Sequence, residues 1–90
     1  MKQPYMTQHS LDRFAERSSH PIEDAHQRLA DATEICQSVS GKYNNRDEAR
    51  RYRYDDELIY IYDPISLAVT TVIVRDAGDK YDLMIQEFEA

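Results

Sequence analysis

The spacing of apolar residues changes near the middle of the chain. Leu11, Phe14 and Ala15 fall at i, i+3 and i+4 behind Thr7, a hydroxyl residue suited to cap a helix. They predict a first helix from about Thr7 to Ser18, broken by Ser18-Ser19-His20-Pro21. Pro21 suits the first position of a second helix, and Glu23 and Asp24 favour its first turn. Ile22, Ala25, Leu29, Ala32 and Cys36 follow one face to about Ser38, with Gly41 as terminator.

Beyond Asn44 and Asn45 the period becomes two. Arg51 and Arg53 fall on one face of a strand, Tyr52 and Tyr54 on the other. Asp55-Asp56 marks a turn, Leu58–Tyr62 a second strand, and Asp63-Pro64 its end. Leu67–Val74 is β-branched and apolar on both faces, which places it at the centre of the sheet. Near the C-terminus Tyr81, Met84, Ile85 and Phe88 fit a helix, whereas Tyr81, Leu83 and Ile85 fit alternation. Asp79 as a cap favours a short helix, with a fourth strand left open. The expected fold is α+β, one domain over residues 1–90. Two N-terminal helices would pack on one face of a three- to four-stranded antiparallel sheet, with a possible short C-terminal helix.

Ninety residues, 41% of them hydrophobic, support one small core, and a protein partner or a homodimer contact would add to its stability. Seventeen acidic against eleven basic residues give a net charge of −6, so the overall field does not favour nucleic acid or anionic membrane. No apolar run approaches the roughly 20 residues that cross a bilayer, and the first ten residues lack the apolar core of a secretory signal. These features predict a cytoplasmic domain with no membrane contact. A single cysteine, Cys36, excludes an internal disulfide and a cysteine-based zinc site. No two histidines have the spacing of a helical chelating pair, and no metal or cofactor is expected.

Charge is placed unevenly. Residues 41–54 hold Lys42, Arg46, Arg50, Arg51 and Arg53 against Asp47 and Glu48, a basic segment within an acidic chain. Arginine forks bind phosphate oxygens in bidentate fashion, which makes this segment a candidate anion site. The alternative is a charged edge strand whose arginines pair with Asp55, Asp56 or Glu57 across the turn.

His9, Arg13 and Arg17 recur at i, i+4 and i+8 on one polar side of the first helix. An imidazole with two guanidinium groups is what metal-independent RNA cleavage needs. The ring transfers a proton, and the cations stabilise charge that develops on phosphorus as a 2′-hydroxyl attacks. Thr70 or Thr71 on a neighbouring strand offers a hydroxyl. The competing reading is a solvated helix face with ordinary surface pairs. His20 reads as a turn residue, His26 as a half-buried structural one, and Cys36 as an inert core residue.

The stretch Thr7-Gln8-His9-Ser10-Leu11-Asp12-Arg13-Phe14-Ala15-Glu16-Arg17 resembles the opening motif T-x-H-A-x-x-R-M-x-x-R of a family of small prokaryotic and phage domains. The likeness continues through Ile22-Glu23-Asp24, Arg51, Arg53, Tyr54, Leu58-Ile59-Tyr60-Ile61 and Thr71-Val72. Such domains are similar to RelE/BrnT-type toxins of the barnase–EndoU–colicin–RelE ribonuclease superfold. The resemblance implies a metal-independent endoribonuclease, a toxin or phage effector, acting on RNA and held by an antitoxin partner. His9 would be its general acid/base, Arg13 and Arg17 its phosphate ligands, and Thr71 its strand hydroxyl. Arg50, Arg51, Arg53 and Tyr54 would line the path of the substrate.

A second expectation comes from the charge. On the same scaffold, Asp55, Asp56, Glu57, Asp63, Asp79 and Asp82 would present an acidic face to a basic protein target, with no catalysis. Such a chain would be an inhibitor or a regulatory subunit. The tyrosines would serve as interface anchors, as stacking platforms for bases or, most simply, as cross-strand core pairs.

Overall fold

A computed structural model describes residues 3–35 and 51–90. Its order is β1 (Tyr5–Met6), α1 (Gln8–Arg17), a 3-10 turn (Ile22–Asp24), α2 (Ala25–Asp31), β2 (Thr33–Glu34), β3 (Arg51–Tyr54), β4 (Leu58–Tyr62), β5 (Ala68–Val74) and α3 (Lys80–Glu89). The fold is α+β. The predicted meander of β3, β4 and β5 is present, but the sheet has five strands in the order β1-β5-β4-β3-β2. It is mixed rather than antiparallel, because β1 runs parallel to β5 through Tyr5–Ala68 and Met6–Val69. The two extra strands are each two residues long, too short for an alternating pattern to reveal. Leu58–Tyr62, not the β-branched Ala68–Val74, takes the central place, and all five of its residues are buried.

Helix α1 starts where the sequence places it. The Thr7 side chain accepts from Ser10 N, while Ser10 Oγ accepts from Thr7 N, closing a capping box. The second helix departs from expectation. Pro21 caps a 3-10 turn, and α2 ends at Asp31, well short of Ser38. Ala32 adopts extended dihedrals, and Thr33 and Glu34 pair with Tyr54 and Arg53. A β-branched residue beside a strand partner is served better by the sheet than by more helix. Ile22 is left 43% exposed, and His26, expected at the border of the core, is exposed.

Two cores lie on opposite faces of the sheet. On one, α1 and α2 bury Phe14, Ala25 and Leu29 against Leu58, Tyr60, Tyr62, Val69 and Val72. On the other, Met84 and Ile85 of α3 pack on Ile35, Tyr52, Tyr54, Ile59 and Ile61. The helices therefore cover both faces, not one, and this explains why β4 is apolar at every position. The C-terminal helix buries the predicted residues, with Tyr81 against Tyr52 and Phe88 edge-on to Tyr54, and Asp79 caps it by accepting from Asp82 N.

Two local irregularities shape β5. Between Ile61 and Tyr62 the register slips, so that Ile61 faces Thr71 while Tyr62 faces Val69. Thr70 is the extra residue of this bulge, and its Oγ1 donates to Ile61 O at 3.1 Å. Just before β5, Leu67 holds φ at 65°, a left-handed conformation that costs a non-glycine residue roughly 1–2 kcal/mol. Its N–H donates to Asp63 O, its carbonyl accepts from Tyr5 N, and its side chain packs on the α1 core. The strained residue thereby holds β1 in place.

Candidate functional site

His9, Arg13 and Arg17 lie along α1, with His9 and Arg17 exposed and Arg13 partly so. The two guanidinium groups are engaged within the chain. Arg13 Nη1 donates to both carboxylate oxygens of Glu16, at 2.8 and 2.7 Å. This exposed pair contributes about 0.3–0.5 kcal/mol. Arg17 Nη1 donates to Val72 O of β5 at 2.7 Å.

Thr71 does not join this stripe. It pairs with Ile61, whose side chain belongs to the α3 core, so the hydroxyl lies on the sheet face opposite α1. Tyr54 is on that same far face, 6% exposed, and its hydroxyl donates to Glu89 Oε2 at 2.8 Å. Burial, and then the Glu89 hydrogen bond, push its pKa up to about 12.

Arg51 and Arg53 share the face of β3 that pairs with Tyr62 and Tyr60, as alternation predicts, but differ in burial. Arg51 is exposed, and Arg50 lies outside the described residues. Arg53 is 8% exposed beneath the end of α2, where Nη1 donates to Leu29 O and Nη2 to Gln3 Oε1 at 2.6 Å. Its Nε is 3.7 Å from a Glu34 carboxylate oxygen, which also accepts from Tyr62 OH. A guanidinium so placed closes the end of a helix by satisfying a terminal carbonyl.

The acidic residues are also largely at work inside the fold. Asp55 Oδ1 accepts from Glu57 N and Leu58 N, while Oδ2 accepts from Tyr60 OH and Arg28 Nη2. Glu57 accepts from Ser18 Oγ and Ser19 N at the end of α1, and the Ser19 hydrogen bonds hold its pKa below the usual range against burial. Asp63 accepts from Ile65 N and Ser66 N. Asp82 takes Arg75 and Gly78 N, and the arginine is the main cause of its lowered pKa. Of the six acids expected to face a partner, Asp56 is the one that stands well out, its side chain 88% exposed.

Arg28, Asp31, Asp55 and Asp56 line an open concavity of about 140 Å³ between α2 and the β3–β4 turn. Arg28 Nη2 bridges Asp55 and Asp56 at 3.0 and 3.1 Å. Three carboxylates face one guanidinium, so the concavity stays negative. Asp24, Arg28 and Asp31 share a helix face at i, i+4 and i+7, but the approach of Asp55 and Asp56 is a long-range contact that no local spacing encodes.

Among the described residues, no group of three or more His, Cys, Asp or Glu side chains is placed to hold a metal ion. None of the described helices is long and apolar enough to cross a membrane. Comparison with protein-family models, curated proteins and solved structures finds no match to this chain.

Proposed function

We propose that this chain is a non-catalytic binding domain whose acidic concavity at Arg28, Asp31, Asp55 and Asp56 receives a basic side chain of a protein partner. The observation that carries this reading is the state of the cations. Arg13 and Arg17, the expected phosphate ligands, are bonded to Glu16 and to Val72 O, and Arg53 of the expected substrate path to Leu29 O with Gln3, while Arg51 is exposed. Thr71 and Tyr54 point to the other side of the sheet. The negative concavity and a net charge of −6 instead suit a cationic surface. An inhibitor or regulatory subunit on a RelE-like scaffold would have this character.

One observation favours the ribonuclease reading. His9 stands exposed in the first turn of α1, and Arg13 one turn on is held only by a weak surface pair. The two readings part in a binding assay. Titrated with a lysine-rich peptide at low salt, the protein is expected to bind, and the double variant Asp31→Lys with Asp56→Lys to bind at least about tenfold more weakly. Equal binding by the parent and the double variant contradicts the proposal. So does cleavage of RNA in EDTA that is lost with His9→Ala.

A further inference from the structure

The acidic concavity already holds a cation of its own chain. Arg28 Nη2 donates to Asp55 Oδ2 at 3.0 Å and to Asp56 Oδ1 at 3.1 Å, the two carboxylates that an incoming basic side chain would also seek. The third carboxylate, Asp31, has Oδ1 on the neutral amide of Gln27 instead. Arg28 is thus a built-in occupant of the site, placed there from the middle of α2.

Three features make that occupancy easy to give up. One nitrogen serves both carboxylates, so neither receives the two-nitrogen fork by which arginine binds tightest. Arg28 Nε is buried with no hydrogen-bond partner, a cost that ends when the guanidinium turns out to solvent. Asp55 still accepts from Glu57 N, Leu58 N and Tyr60 OH after Arg28 has left, and the Asp56 side chain is 88% exposed. A cation from outside therefore reaches both carboxylates without the β3–β4 turn unfolding. The exchange swaps one cation for another and leaves the sheltered charge of Asp55 paired.

We propose that Arg28 is an internal stand-in for the partner's basic residue, holding Asp55 and Asp56 until that residue displaces it and so lowering the affinity of the site. The inference rests on the binding reading above and adds what tunes it. Taking Arg28 away removes a competitor and a positive charge, so the same concavity binds a cation more tightly.

The test titrates a lysine-rich peptide at low salt into the parent, Arg28→Gln, Arg28→Met and Arg13→Gln. The last removes an equal charge from α1, where Arg13 pairs with Glu16. Both Arg28 variants are expected to bind about threefold to tenfold tighter than the parent, and Arg13→Gln within about twofold of it. In the parent itself, the Arg28 Nε proton is expected to exchange with solvent faster once the peptide is saturating, a readout that needs no variant to fold. Arg28 variants that bind no more tightly than the parent overturn the proposal. So does equal tightening by Arg13→Gln, or an Nε proton that exchanges no faster. Failure of the binding reading looks different: the parent and the Asp31→Lys, Asp56→Lys double variant then bind alike, whatever Arg28 does.

Discussion

Replacing Asp55 with alanine is expected to lower the unfolding free energy by about 3–5 kcal/mol, a large share of what a domain of this size possesses. One carboxylate, 15% exposed, accepts two backbone N–H groups of the β3–β4 turn, the hydroxyl of the fully buried Tyr60 and the guanidinium of Arg28. Its removal orphans four donors at once, and of the two carboxylates paired with Arg28 the exposed Asp56 remains. Asp55→Asn retains an acceptor for the turn but loses the charge opposite Arg28, so about half the penalty is expected. Urea unfolding followed by circular dichroism measures both. An alanine variant within about 1 kcal/mol of the parent contradicts the role given to Asp55.

Alkaline pH is expected to unfold the protein through its tyrosines. Tyr54, Tyr60 and Tyr62 are buried, and each hydroxyl donates to a carboxylate, of Glu89, Asp55 and Glu34 respectively. Burial first, and the carboxylate second, push Tyr54 and Tyr62 up to about 12 and raise Tyr60 as well. The folded state keeps these protons to higher pH than the unfolded chain, whose tyrosines titrate near 10. The stabilisation is therefore complete below about pH 10 and is lost as pH rises through about 12. A shift of two units corresponds to about 2.7 kcal/mol per group, so Tyr54 and Tyr62 together can remove most of a marginal stability. Tyrosinate absorbance and loss of ellipticity should rise together. Full tyrosine titration near pH 10 with the circular dichroism unchanged contradicts this.

Local signals in the sequence carried to the structure, and long-range ones did not. Thr7 and Asp79 cap helices because capping is settled within one turn. The Arg-Tyr alternation of β3 and the apolar run of β4 follow from the strand period. The end of α2 was hidden, because Thr33 and Glu34 become strand only through pairing with residues about twenty positions on. Thr71 lies on the α3 face by alternation with Val72, while the bulge at Thr70 returns Val69 to the α1 face, and nothing nearby in sequence announces that one-residue slip. The spacing of His9, Arg13 and Arg17 correctly gave a shared helix side but could not tell that Val72 O would take the last guanidinium. Charge alone did not announce the structural work of the acids either, since Asp55, Glu57, Asp63, Asp79 and Asp82 accept hydrogen bonds at turns and helix ends.

Amide chemical shifts recorded while the protein is titrated in parallel with a lysine-rich peptide and with single-stranded RNA test the central claim most directly. The peptide is expected to move Asp31, Asp55 and Asp56, with RNA leaving His9, Arg13 and Arg17 where they were. Shifts along α1 on adding RNA, with the peptide without effect, would contradict it.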